Sequence, residues 1–296
     1  MKSEAALKVS ASGGTLLPYF ELLKPRVSFL VVLTTAAGFT LASTPPVDWT
    51  ALIWTALATA LLSGGSVGLN QVMERQPDSR MTRTAGRPLP TARVSVGAAT
   101  AFGIVLILTG TIVLLSTTRV LPTALGLASA AVYLFAYTPL KRRTPFCTTV
   151  GAVPGAIPPL IGWTAAGGAL NLEAWMLFGI LFLWQYPHFL AIAWIYRDDY
   201  RKGGFKMLPL EDPSGKRTAR QIVLFAVLLY VVSLFPWVFG LAGRSYFIAA
   251  LLAGIVFLAT TLSLLKTPTT LYARYVMRAS VFYLPLLLAV LVWDRI

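Results

Sequence analysis

The chain has 296 residues, of which 56% are hydrophobic and 12% charged, with a mean hydropathy of +0.72. A soluble chain of this length carries about a quarter charged residues, so the composition excludes a soluble globular protein and points to repeated membrane-spanning helices. The formal net charge of +14 does not mark a nucleic-acid binder, because the basic residues lie in short gaps between apolar runs and form no basic domain.

Residues 1–24 are mildly polar, with Lys2, Glu4 and Lys8. They lack the apolar core of a signal peptide and are expected to be a short cytoplasmic lead-in to one transmembrane domain covering 1–296. Nine apolar runs follow, each predicting a membrane-spanning helix: Val27–Ser43, Trp49–Met73, Val94–Thr117, Leu121–Pro139, Pro145–Ala166, Leu172–Tyr196, Ile222–Gly240, Tyr246–Leu265 and Tyr275–Val292. The fold class expected is all-α, a polytopic membrane protein built as a nine-helix bundle. Glycines at Gly64, Gly65, Gly68, Gly151, Gly155 and Gly162 would let neighbouring helices approach closely.

With nine spans, 22 of the 25 basic residues fall on one side, and only Arg119, Arg244 and Arg295 on the other. The positive-inside rule then puts the N-terminus in the cytoplasm and the C-terminus outside. A bacterial inner membrane is the expected location.

Charge is scarce, so where it gathers is informative. The stretch "LNQVMERQPDSRMTRTAGRPLP", Leu69–Pro90, follows the second run. Asn70, Glu74 and Asp78 are spaced by four, which puts them on one helix face, with the two acids roughly 6 Å apart along the axis. Two carboxylates and an amide oxygen suit Mg²⁺, which binds through one or two carboxylates plus substrate phosphates. Arg75, Arg80, Arg83 and Arg87 follow, and guanidinium forks match phosphate oxygens. Pro77 forbids an ordinary backbone hydrogen bond, so the helix is expected to kink or end between the acids. The alternative is that Glu74 and Asp78 only pair with the arginines at headgroup level.

A second such segment, "WIYRDDYRKGGFKMLP" at Trp194–Pro209, ends the sixth run, with Asp198 and Asp199 among Arg197, Arg201, Lys202 and Lys206. Two acidic clusters at the ends of different helices could share a metal–diphosphate, although Asp198 reads as a solvated loop residue. The repeated plan of the second and sixth runs suggests a four-helix pseudo-repeat. Between them lies a third basic cluster, "YTPLKRRTP" at Tyr137–Pro145. Cys147 is the only cysteine and His188 the only histidine, which rules out an intramolecular disulfide, a thiolate cluster and a histidine-rich metal site. An ionisable group inside a span is a functional candidate. His188 lies eleven residues before Asp199, so an unbroken helix would put both on one face, about 16 Å apart. An imidazole there could contact a haem iron.

The Asn70-xxx-Glu74-xxx-Asp78 array followed by "MTRTAGRPLP" resembles the first motif of the UbiA superfamily of membrane-embedded prenyltransferases. The stretches "LKPRVSFL", "YTPLKRRTP…GAVPGAIPPLIGW" and "PHFLAIA…DDYRKGGFKMLP" are similar to its haem-farnesylating branch. This resemblance covers the first six runs, in order. It implies a nine-helix bundle whose central cavity opens to the cytoplasm, with an apolar channel for a prenyl tail. It further implies Mg²⁺ as the metal, farnesyl diphosphate and a vinyl group of protohaem IX as substrates, and a haem A synthase as a partner. Carried over by position, Asn70, Glu74 and Asp78 form the first acidic motif and Asp199 the acid of the second, while Lys141 and Arg142 join Arg83 and Arg87 beside the diphosphate. Trp184, Tyr186 and Phe189 are candidates to face the allylic cation. The same superfamily also acts on aromatic quinone and chlorophyll precursors, which remain alternative acceptors. A transporter would be expected to carry its acids near mid-membrane, whereas these lie at helix ends.

Overall fold

The computed structural model describes residues 16–296, so Lys2, Glu4 and Lys8 lie outside the described residues. Helices account for most of the chain, and no strand forms among the described residues beyond a single bridge between Ala242 and Arg295. Where polar residues bound the apolar runs they also cap them. Asp48, Ser95, Asn171 and Thr269 each accept a hydrogen bond from a backbone N–H in the first turn of the helix that follows, satisfying donors that have no intrahelical partner.

The helices run in the order α1 (Leu17–Leu22), α2 (Pro25–Ala42), α3 (Trp49–Met73), α4 (Arg75–Arg80), α5 (Val96–Thr117) and α6 (Val120–Leu140). Then come α7 (Cys147–Ala156), α8 (Pro158–Ala165), α9 (Leu172–Ile195), α10 (Arg197–Lys202), α11 (Lys216–Val238), α12 (Arg244–Lys266) and α13 (Thr270–Trp293). Eight of these are long and apolar enough to cross a membrane, among the described residues. Such a chain is a multi-pass membrane protein, and the exposed outer faces carry apolar side chains such as Val105, Leu108, Ile112 and Phe282.

The fifth run departs from the single helix expected of it. Instead of one helix over Pro145–Ala166, the chain forms α7 and α8, which meet at Ile157. Pro158 and Pro159 follow that residue directly, and Pro154 lies inside α7. Proline lacks the backbone N–H and crowds the preceding turn, so three prolines in six residues break the ladder. The lead-in is also more structured than expected: α1 buries Leu22 completely, and Gln71 Nε2 in α3 donates to the Leu22 carbonyl at 2.7 Å.

Packing sets a firm half and an open one. A continuous apolar core joins α9, α11, α12 and α13 through Leu177, Ile180, Ile222, Leu229, Tyr246, Leu284 and Leu288. Within it, Tyr246 and Tyr283 donate to the carbonyl and hydroxyl of Ser233. On the other side α2 crosses α8 backbone to backbone. A side chain at Gly38 would meet the Pro159 carbonyl, and one at Gly162 the Thr35 carbonyl. Glycine is required at this crossing. Gly68, by contrast, has nothing within 4 Å of where a Cβ would stand, so it serves no close approach.

Candidate active site at the mouth of a central cavity

Between the two halves lies a cavity of about 800 Å³, within the range of small-molecule sites. Its walls are mostly apolar, with Leu30, Leu62, Val67, Ile161, Leu181 and Leu284 among the lining residues. One end is charged: Lys24, Arg26, Glu74, Asp78, Arg83, Arg87 and Lys141 all line it. Asn70 is fully buried beside this end.

The first acidic motif is held by a break in the helix. Helix α3 ends at Met73, Glu74 leaves the helical region at φ −96° and ψ 8°, and α4 starts at Arg75. The interruption thus precedes Pro77, which occupies the first turn of α4, where a missing N–H has no intrahelical partner to lose. Backbone bonds from Glu74 to the Asn70 carbonyl (2.9 Å) and from Asp78 to the Glu74 carbonyl (2.8 Å) keep the four-residue spacing across the break. All three side chains are buried, Asn70 at 0%, Glu74 at 6% and Asp78 at 1% exposure.

Each buried carboxylate is balanced by a cation. Arg87 Nη1 donates to Asp78 Oδ2 at 2.7 Å. Lys141 Nζ donates to Glu74 Oε2 at 3.2 Å and lies 2.8 Å from Oε1, off the hydrogen-bonding direction of that oxygen. Burial alone would lower the pKa of Lys141, but the Glu74 carboxylate and its hydrogen bond hold it well above the ordinary lysine range. Lys24 has no such partner within ion-pair distance among the described residues. Burial, with Arg87 and Lys141 nearby, pushes its pKa down to about 7. The loop "MTRTAGRPLP" brings Arg87 back to the motif through successive turns, with Thr84 Oγ1 donating to the Asp78 carbonyl at 2.8 Å.

Sequence reasoning gave no role to Thr138, which orients Asn70. The turn Val132–Tyr137 of α6 is widened to a π-helical turn, and Thr138 Oγ1 donates to the Tyr133 carbonyl at 2.8 Å. Its single proton thus spent, that hydroxyl accepts from Asn70 Nδ2 at 2.9 Å, which assigns the amide orientation. Asn70 Oδ1 is left buried without a hydrogen-bond partner among the described residues, as is Asp78 Oδ1. No group of three or more His, Cys, Asp and Glu among the described residues could hold an ion. What is present is two carboxylates and one oriented amide oxygen, with three buried acceptors, Asn70 Oδ1, Glu74 Oε1 and Asp78 Oδ1, that no hydrogen bond from the described residues satisfies. That donor set fits a hard divalent cation whose remaining positions are taken by phosphate oxygens.

Other expected site residues lie elsewhere. Arg75 and Arg142 are exposed and do not line the cavity. Asp199 does not line it either: its two oxygens accept the backbone N–H groups of Thr82 (3.2 Å) and Arg83 (3.0 Å). Partial burial would raise its pKa, but these hydrogen bonds hold the carboxyl below its ordinary value. The second acidic segment thereby anchors the arginine loop of the first, and Arg83 in turn lies over the rings of Tyr196 and Tyr200. Asp198 is exposed and pairs with Arg201 at 2.8 Å. Lys24 and Arg26 at the mouth had no assigned role. The one local signal was "LKPR", where Lys24 adopts a left-handed φ of 46° directly before Pro25, a costly conformation for a non-glycine residue.

His188 lines the cavity, but its alignment with Asp199 does not hold, because α9 ends at Ile195 and Tyr196 breaks the helix before α10. The breaks at Glu74 and Tyr196, each followed by a six-residue helix, repeat one local plan. Trp184 and Phe189 also line the cavity, whereas Tyr186 does not: its ring stacks on Phe225 at 3.6 Å.

A cation-rich, carboxylate-bearing mouth over an apolar cavity, inside a helical membrane bundle, is the architecture of an intramembrane prenyltransferase. Residues 31–291 match the model of the UbiA prenyltransferase family, and the chain belongs to that family. A protoheme IX farnesyltransferase of Solibacter usitatus is 44% identical over 286 residues, covering 94% of this chain and 98% of the relative. One from Koribacter versatilis is 46% identical over 288 residues, covering 94% and 93%. The mitochondrial protoheme IX farnesyltransferase of Arabidopsis thaliana is 37% identical over 279 residues, covering 94% of this chain and 65% of the relative. Among solved structures, a digeranylgeranylglyceryl phosphate synthase superposes with a TM-score of 0.79 at 18% identity, covering 95% of this chain and 98% of the other. A UbiA homologue of Archaeoglobus fulgidus bound to GPP and Mg²⁺ superposes with a TM-score of 0.66 at 16% identity, covering 93% and 99%. These structures establish the shared fold.

Proposed function

We propose that this protein transfers the farnesyl group of farnesyl diphosphate to a vinyl group of protohaem IX. The observation that carries the transfer chemistry is the mouth itself, where Asn70, Glu74 and Asp78 present oxygen donors beside Arg83, Arg87 and Lys141 over an apolar cavity. The choice of acceptor rests on the relatives named protoheme IX farnesyltransferase.

In the reaction, the bond between farnesyl C1 and the diphosphate oxygen breaks, and both electrons leave with the diphosphate. The allylic carbon adds to the vinyl group, water supplies a hydroxyl to the remaining vinyl carbon, and a proton is released. Arg83, Arg87 and Lys141 bind and orient the diphosphate and offset the charge that develops on it, an electrostatic contribution strengthened by the partial burial of Arg87 and Lys141. Mg²⁺ held by Asn70, Glu74 and Asp78 would supply Lewis-acid neutralisation of the same leaving group. Asp199 acts on this set from behind by fixing the loop that carries Arg83. The apolar walls keep water from the cation until it has reacted, and the Trp184 and Phe189 rings offer π faces toward it. His188 reaches into the cavity where the haem acceptor would lie.

The excess of basic residues in alternate loops supports a reading with the charged mouth and the N-terminus on the cytoplasmic side of a bacterial inner membrane. One domain spans 1–296, and the product is of the kind a haem A synthase consumes. The test is the haem inventory of membranes from a host lacking its own haem farnesyltransferase, comparing this protein with Asp78→Ala. A farnesylated haem that disappears in the variant is the expected result. Unmodified haem alone, with the protein inserted and folded, would move the acceptor to a quinone or chlorophyll precursor.

A further inference from the structure

The one histidine is held by two contacts that decide which of its ring nitrogens faces the cavity. His188 Nδ1 lies 2.8 Å from Ser280 Oγ on α13. That hydroxyl has one proton, and it is directed to the Met277 carbonyl at 2.7 Å. At the histidine, Ser280 Oγ is therefore the acceptor and Nδ1–H the donor. The neutral ring consequently carries its proton on Nδ1 and a bare lone pair on Nε2.

Ring orientation is fixed as well as the tautomer. Trp184, one turn earlier on α9, stacks on the imidazole at 4.7 Å with 15° between the planes. The same tryptophan donates from Nε1 to the Ser280 backbone carbonyl at 2.8 Å. Ser280 is fully buried and does not line the cavity, so it acts from behind. Nε2 has no hydrogen-bond partner among the described residues. An imidazole clamped by a stacked ring, with its second nitrogen fixed by a protein acceptor, is how proteins present a histidine to a metal.

We infer that Ser280 is a positioning residue that locks His188 in the Nδ1–H form, so that Nε2 is presented to the cavity as an axial ligand for the iron of the haem substrate. The inference rests on the haem-acceptor reading above. Ligation would fix the macrocycle in depth and tilt and leave its rotation about the iron–nitrogen axis to the cavity walls.

The test is ferric protohaem titrated into the detergent-purified protein, followed by absorption and electron paramagnetic resonance. Wild type is compared with His188→Ala, Ser280→Ala and Ser280→Thr. Wild type should show an imidazole-ligated iron, His188→Ala should lose that signature, and added imidazole should restore it. Ser280→Ala keeps the backbone carbonyl that holds Trp184, yet should weaken ligation about tenfold, the lower end for loss of an outer-shell partner. Ser280→Thr, which retains the hydroxyl, should behave as wild type and shows that the position tolerates change. If wild type takes up no haem, the acceptor reading itself fails. If haem binds and the signature survives in His188→Ala, the ligand assignment falls while the acceptor stands. If His188→Ala loses the signature but Ser280→Ala matches wild type, the role of Ser280 is overturned alone.

Discussion

Replacing Arg87 with methionine removes the only cation, among the described residues, bonded to a carboxylate that is 1% exposed. Asp78 Oδ1 has no hydrogen-bond partner among the described residues, and Oδ2 has Arg87 at 2.7 Å. Breaking a buried pair by deleting one member costs about 3–5 kcal/mol, because the charge left behind stays out of water. Arg87 is 22% exposed and borders the cavity, so the lower end, about 3 kcal/mol, is expected for Arg87→Met. Adding Asp78→Asn to that variant should recover most of the loss, since the amide leaves no charge to compensate. The assay is equilibrium unfolding of the four proteins of this cycle in mixed micelles, read as a coupling energy. A coupling below about 1 kcal/mol, the value of an exposed pair, would refute the claim that the mouth is electrostatically buried.

Lys24 should give the site a pH dependence. Its pKa is pushed down to about 7, and an anion bound beside it would raise that value. Affinity is then greatest and level below pH 7, and falls by up to tenfold per unit as pH rises from 7 toward the bound-state pKa. Calorimetric titration with a non-reactive prenyl diphosphate analogue should show this fall in wild type, and a shallower one in Lys24→Arg. At the α2–α8 crossing, Gly38→Ala and Gly162→Ala should each cost about 1–3 kcal/mol through overpacking, whereas Gly68→Ala should be neutral or slightly stabilising; unfolding midpoints separate them. Thr138→Val removes the acceptor of a buried amide. It should cost about 1–3 kcal/mol and weaken Mn²⁺ binding, measured by electron paramagnetic resonance, without changing the helix content.

Much of this protein is written in hydrophobicity alone. Apolar runs fix where helices form because a backbone in lipid must satisfy its own hydrogen bonds, and the second run, Trp49–Met73, matches α3 residue for residue. The four-residue spacing of Asn70, Glu74 and Asp78 is likewise local information, and it survives the helix break because backbone bonds bridge it. The fifth run misled because hydropathy does not register the missing N–H of Pro154, Pro158 and Pro159.

Partnership between distant segments is what the sequence could not determine. Nothing near Asp199 announces that its acceptors will be spent on the N–H groups of Thr82 and Arg83, more than a hundred residues away. Nor does anything separate Arg87, folded back onto Asp78, from Arg75, which faces outward from the start of α4. Thr138 and Ser280 are ordinary hydroxyls in apolar helices until packing places them against Asn70 and His188. Hydrophobic periodicity is a property of each helix by itself. The direction of a lone pair depends on which hydroxyl the neighbouring helix brings within 3 Å, and only the tertiary fold decides that.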